Sequence, residues 1–323
     1  MVMAYVLAFL KYVIYGSTVF FTGELEKSTD VLDILALRFL VSFVFIWLLK
    51  TMGVFKIKFS VREFFGKSKR KNAIKGLLIA SLFEPVLYMF FETLGISMTT
   101  DITTAVIISL TPITNCIAEI VFLRERCSFL EKVFLFIGIA GVIYIATKTS
   151  SGDGKDSVIG IAFLLLAVIS GSLFSVFSRK SSKYFSPMEI TYAATIMGAL
   201  IFNVVNIIRH IVRGDIIHYF KPYLSLNNMI GFLFLGVLSA VLATAMNNYC
   251  LSKIQLSTIA AFSGVSTLVT ILIGVIFKNE QLYYFHYIGL ALIISRMIGV
   301  SVLSVMRNKK THPCKDKNKK ADS

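Results

Sequence analysis

TTAVIISLTPITNCIAEIVFLRERCSF, residues 103–129, is the stretch whose reading decides the fold. It opens on hydroxyl residues, runs apolar for about 20 residues, the length a helix needs to cross a hydrocarbon core of about 30 Å, and closes on Leu-Arg-Glu. The same pattern returns 155 residues later as STIAAFSGVSTLVTILIGVIFKNEQL, residues 257–282. That offset sets Thr258 on Thr103, Phe277 on Phe122 and Glu280 on Glu125. One such run is a membrane span; two in matched register predict a membrane protein built twice.

Working outward, the composition agrees. Of the 323 residues 56% are hydrophobic and only 16% charged, where a globular domain carries about 45 to 50% and about 25%. Mean hydropathy is +0.77. Ten apolar spans are expected, at 3–21, 34–51, 75–95, 102–123, 130–148, 158–178, 187–208, 229–250, 256–277 and 283–305. A β-barrel is excluded, because its strands would alternate over about 10 residues. Ser186, Pro187 and Glu189 form a capping box with proline at the first helical position, opening span seven. The first run, interrupted by Lys11 and lacking a basic leader or a small-residue cleavage site, is expected to be a retained helix rather than a signal peptide.

The net charge of +15 is parcelled into loops, which argues against a nucleic-acid face. Segment 50–75 holds nine basic residues against Glu63, and the tail 307–323 is likewise basic. The first loop instead holds Glu24, Glu26, Asp30 and Asp33 against Lys27. The positive-inside rule therefore predicts both termini on the cytoplasmic side of the cell (plasma) membrane. One loop, 209–228, departs from the rule: it falls outside although Arg209, Arg213 and Lys221 outnumber Asp215. The four cysteines and four histidines show neither metal-ligand spacing nor a disulfide framework. No cofactor, metal or catalytic constellation is implied, and a phosphate-binding loop is absent; the chain does not read as an enzyme.

The 155-residue offset lays spans one to five on spans six to ten, with Gly16 on Gly171, Gly76 on Gly231 and Leu87 on Leu242. Five is odd, so the second copy must cross the membrane upside down. The expected fold is all-α, ten transmembrane helices as two inverted five-helix repeats, 1–150 and 156–306, with a basic tail at 307–323. Such symmetry suits alternating access around a mid-membrane site.

These residues resemble the EamA type of the drug/metabolite transporter superfamily. YGST (15–18) is similar to the aromatic-Gly-Ser turn of the family's first helix, LRFL (37–40) to the start of its second, and 103–129 to its fourth, with the second-half stretch echoing it. The sequence departs from the family in having Tyr15 for a tryptophan and Thr267 where the first copy has Pro112. The resemblance implies a carrier of a small metabolite, amino acid or drug-like compound, with its cavity lined by helices one, three, four, six, eight and nine.

Three charges are expected deep in the bilayer. At about 1.5 Å per residue, Glu84 in LFEPVLYMFF lies about 13 Å into span three, and Lys11 and Arg296 lie near the middle of spans one and ten. Each costs about 2.5 to 3.5 kcal/mol if unpaired. Glu84, Tyr88 and Glu92 share one stripe, which the offset matches with Ser239 and Asn247 of span eight, and Pro85 is positioned to kink the helix. The expected substrate-binding set is Glu84, Tyr88, Thr111, Ser172, Asn247, Asn248 and Ser266, with Lys11 and Arg296 as charge partners. Two readings of Glu84 stay open: a cavity residue for a cationic group or coupling proton, or an inter-helix lock paired with Lys11 or Arg296. A coupling ion and a homodimer are compatible with the architecture. A non-transporting scaffold or regulatory subunit of the same fold is the alternative function.

Overall fold

The computed structural model describes residues 2–55, 71–123, 157–254 and 262–278, with single positions at 133, 137, 256, 259, 284, 287, 288, 291, 295 and 299. Among them every regular element is helical. Helix α1 is Val2–Glu26 and α2 is Val31–Thr51. Helix α3 joins Lys71–Ser81, a π-helical stretch Leu82–Leu87, and Tyr88–Ser97. Helix α4 joins Asp101–Ile108, Thr111–Ala118 and a π-helical end Glu119–Leu123. Helices α5 and α6 are Val158–Ser181 and Pro187–Arg213. Helix α7 joins Leu226–Leu233, a π-helical stretch Phe234–Ala243, and Thr244–Lys253; α8 is Ser263–Lys278. The first seven are long and apolar enough to cross a membrane, and Ser263–Phe277 is a shorter apolar helix. These eight correspond to spans one to four and six to nine. Spans 130–148 and 283–305, apart from single positions, lie outside the described residues, as do loop residues 56–70, the tail, Glu125, Glu280 and Arg296.

Local chemistry fixes the helix ends. Thr100 caps α4 through the Thr103 N–H, and Ser157 caps α5 through the Ile159 N–H. The expected capping box opens α6: the Ser186 N–H donates to Glu189 Oε2 at 2.8 Å while the Glu189 N–H donates to Ser186 Oγ at 3.3 Å. Gly214, at φ 73°, closes the same helix in the left-handed conformation that glycine adopts at no steric cost. Pro85 breaks α3 as expected. Its missing N–H and its ring push the preceding residue out of the helical region, and Glu84 sits at φ −140°, ψ 120°. The two long π-helical stretches obey the repeat, since the offset carries 82–87 onto 237–242, inside Phe234–Ala243.

The helix contacts can be compared under the same offset. Helix α1 lies antiparallel to α7: the Cys250 thiol donates to the Ala4 carbonyl, the Phe21 and Phe234 rings stack at 4.1 Å, and Leu25 covers Gly231. Helix α5 meets α3 in the same way, with Phe163 stacked on Phe91, the Tyr88 ring against Gly171, and Ser181 beside Gly76. Helix α1 runs parallel to α8, where Gly16 touches the Ser266 backbone and Phe20 meets Phe277. Helix α5 runs parallel to α4, where Leu164 packs with Ile107, and Ser172 bonds Thr114 at 2.6 Å. Shifting by 155 thus exchanges one set of interfaces for the other. Helices α2 and α6 pair across the middle, with the Phe39 and Phe202 rings stacked and Gly198 admitting the Phe39 ring. In hydrocarbon such contacts gain from close approach and dispersion rather than from burial away from water. Leu200, Val204, Ile208, Ile211 and Val212 of α6 are exposed, the apolar outer face that lipid requires. One expectation is corrected: Cys116 is disulfide-bonded, while Cys250 is a free buried thiol.

Candidate functional site

The interior holds a cavity of about 90 Å³ at the level where the helices are half traversed. Its walls come from α1, α3, α4, α5, α7 and α8, the six helices implied by the resemblance. From α1 come Lys11, Tyr12, Tyr15 and Thr18; from α3, Glu84, Tyr88 and Glu92; from α7, Ser239 and Asn247. Thr111 and Asn115 of α4, Ser175 of α5, and Ser263, Ser266 and Thr270 of α8 complete the polar lining.

Glu84 and Lys11 do not form the pair considered from sequence. The Lys11 ammonium donates to Asn247 Oδ1 at 2.5 Å and lies 4.1 Å from the centre of the Tyr12 ring. The carboxamide and the π face together stabilise a cation that would otherwise be unpaired. Glu84 is 9% exposed, has no hydrogen-bond or ion-pair partner among the described residues, and keeps its oxygens on the cavity surface rather than sealed in packing. One turn further along, the Tyr88 hydroxyl donates to Glu92 Oε1 at 2.8 Å.

Of the residues expected to bind substrate, Glu84, Tyr88, Thr111, Asn247 and Ser266 line the cavity, and so does Lys11. Ser172 and Asn248 are not among the lining residues. Ser172 joins α5 to Thr114 of α4. Asn248 accepts from the Ser178 hydroxyl at 2.8 Å and donates to Thr191 Oγ1 at 2.9 Å, tying α7 to α5 and α6. Both hydroxyl-rich helix faces bury small polar groups, and sequence cannot separate those that bond a neighbouring helix from those that face a void. Arg296 lies outside the described residues. Glu119, near the end of α4, pairs with Arg179 at 3.3 Å.

The residue that sequence reasoning passed over is Arg38. It is 1% exposed, and its Nε and Nη2 have no hydrogen-bond acceptor among the described residues. The Glu92 carboxylate is the strongest opposing charge acting on it. The signal was present in LRFL, where the arginine stands more than a full turn inside the apolar run.

A second polar cluster closes one end of the α2–α6 pair. Asp33 accepts from Asn206 at 2.8 Å and from Arg209 at 2.7 Å, and its Oδ1 also meets His210 Nε2 at 2.8 Å. The other ring nitrogen of His210 faces Asp215 at 2.9 Å. Arg209 and Arg213 both reach Asp30. In the loop beyond, Tyr219 donates to Asn203 Oδ1 at 2.6 Å, and burial pushes its phenol up, keeping it a donor. The opposite end of the pair has the contact of Lys50 with Tyr192 at 3.3 Å.

A model of the EamA-like transporter family matches residues 2–147 and again residues 158–303. The chain belongs to the EamA-like transporter family. This EamA protein is 28% identical over 308 residues to the uncharacterized transporter YcxC of Bacillus subtilis, an alignment covering 95% of each chain. It is 22% identical to the WAT1-related protein At3g02690, chloroplastic, of Arabidopsis thaliana, over 88% of this chain and 67% of that one. A protein crystal structure superposes with a TM-score of 0.66 over 94% of this chain and 98% of the other at 16% identity, a likeness of fold. The EamA protein is therefore a multi-pass membrane protein of a transporter family.

Proposed function

We propose that this EamA protein is a secondary carrier that moves a small metabolite, amino acid or drug-like compound by alternating access. In this reading the whole chain forms ten transmembrane helices as two inverted five-helix repeats, 1–150 and 156–306. The observation that carries it is the exchange of partners: α1 takes α7 and α8 as α5 takes α3 and α4. Halves that swap partners around a mid-membrane cavity are the architecture in which one chain has two near mirror-image states, open to opposite sides. The double family match supports the same division. Both termini face the cytoplasm of a cell whose plasma membrane holds the carrier, with Glu84 and its neighbours forming the substrate site and a proton or ion providing the coupling. In the 209–228 loop, which departs from the rule, Arg209 and Arg213 pair with Asp30 and Asp33 at the acidic first loop.

The test is counterflow with the purified full-length protein in proteoliposomes. Saturable exchange of one class of labelled solute is the expected result. If no amine, amino acid, sugar or organic anion exchanges, and none raises the melting temperature, the scaffold reading replaces the carrier. Orientation is tested separately with single cysteines at Lys27 and Lys183, which are expected to react with impermeant maleimide from opposite sides; labelling from the same side overturns the topology.

A further inference from the structure

Resting on the carrier reading, we propose that the cavity selects a compact organic monocation, a small ammonium compound, and that the Glu84 carboxylate is the group that holds it. Among the described residues the lining carries one cation, Lys11, against two carboxylates, Glu84 and Glu92. The three are not equivalent. Lys11 is taken up by Asn247 and the Tyr12 ring, and Glu92 by the Tyr88 hydroxyl and the field of Arg38. Among the described residues Glu84 alone presents to the void a carboxylate with no hydrogen-bond or ion-pair partner, with only the field of Lys11 acting on it. Its backbone, turned out of helical geometry by Pro85, is what frees it from the α3 stripe.

A buried carboxylate without a partner is costly unless water or a ligand satisfies it. An ammonium group satisfies both its charge and its acceptor oxygens, and Tyr15 and Tyr88 line the same cavity beside it. An anion would meet two carboxylates in the lining itself and a single ammonium that Asn247 already engages. A zwitterion would need Lys11 for its carboxylate, and Lys11 is already engaged. The cavity volume of about 90 Å³ restricts the class to small solutes.

The decisive experiment measures the thermal stabilisation of the full-length protein in detergent by ethanolamine, glycine and acetate, with wild type and three variants. Ethanolamine is expected to stabilise the wild type and glycine and acetate not to. Glu84→Gln is expected to abolish the shift. Glu84→Asp, which keeps the charge on a shorter stem, should retain it with weaker affinity, and so guards against loss by misfolding. Lys11→Met removes the one positive charge whose field acts on Glu84 and is expected to tighten ethanolamine binding several-fold. If glycine stabilises as well as ethanolamine and Lys11→Met abolishes both shifts, the site is zwitterionic and the proposal falls. Stabilisation by acetate overturns it likewise. In either case the carrier reading survives, whereas silence from all three probes together with absent counterflow of every solute class removes both.

Discussion

Lys11 of α1 and Asn247 of α7 meet at 2.5 Å across an antiparallel interface, so a buried ammonium is held by a neutral carboxamide while a carboxylate in the same cavity goes unpartnered. Asn247→Ala therefore strands the ammonium. The loss of a charge-assisted acceptor is expected to cost about 1 to 3 kcal/mol, read as a lower melting temperature of the purified protein. The released ammonium would then compete for Glu84 and weaken cation binding. A variant with unchanged melting temperature and unchanged ethanolamine response contradicts the assignment of that bond.

Gly16 sets the spacing of α1 on α8. A Cβ at this position would stand 2.5 Å from the Ser266 carbonyl oxygen and 2.8 Å from Val269 Cβ, and the Thr270 hydroxyl donates to the Gly16 carbonyl at 2.8 Å. Gly16→Ala must push the helices apart, with an expected cost of about 1 to 3 kcal/mol. Gly76→Ala is the control, since its Cβ would meet only the Ser181 hydroxyl at 3.8 Å. Thermal unfolding should separate the two clearly, and equal effects would refute the packing argument.

Asp33 takes hydrogen bonds from three side chains of α6 at once. Asp33→Ala leaves Arg209 and His210 without their shared acceptor, a loss of the kind that costs about 3 to 5 kcal/mol when the pair is buried and less at this partly exposed end. The exposed Lys27–Glu24 pair is the comparison: Lys27→Ala should leave the unfolding temperature essentially unchanged.

Arg38 and Glu92 are expected to be energetically coupled. Glu92→Gln leaves the buried guanidinium without its main opposing charge and should destabilise the protein strongly. Arg38→Met in the same chain should recover much of the loss, because an apolar side chain of similar length needs no counter-charge. A double-mutant cycle on thermal or denaturant unfolding measures the interaction. A coupling energy near zero would mean that the two groups stabilise the bundle independently.

Much of the fold could be read from the chain because a bilayer leaves so few choices. Apolar length gave the eight described helices, the Ser186–Glu189 box gave the start of α6, and Pro85 gave the break in α3. The 155-residue offset is visible in a handful of identities, and under it the π-helical stretches of α3 and α7 coincide. What could not be read is which polar groups meet. Asn248 and Asn247 are adjacent in sequence, yet one ties three helices together and the other faces the cavity, a difference of about 100° around the helix. The Asp33 cluster depends on the pairing of α2 with α6, which no local pattern encodes, and its arginines appeared from sequence only as surplus charge in an outer loop.

The charge count around the cavity has a consequence for energetics across the bilayer. Among the described residues, Lys11 and Arg38 stand against Glu84 and Glu92, two of each sign. With all four ionised they sum to zero, so a membrane voltage, worth about 2.3 kcal/mol per elementary charge per 100 mV, finds no net charge there to drive in the empty protein. The charges of the cargo and of the coupling ion would then decide together whether transport is electrogenic, and a current recorded across proteoliposomes would report their sum per cycle.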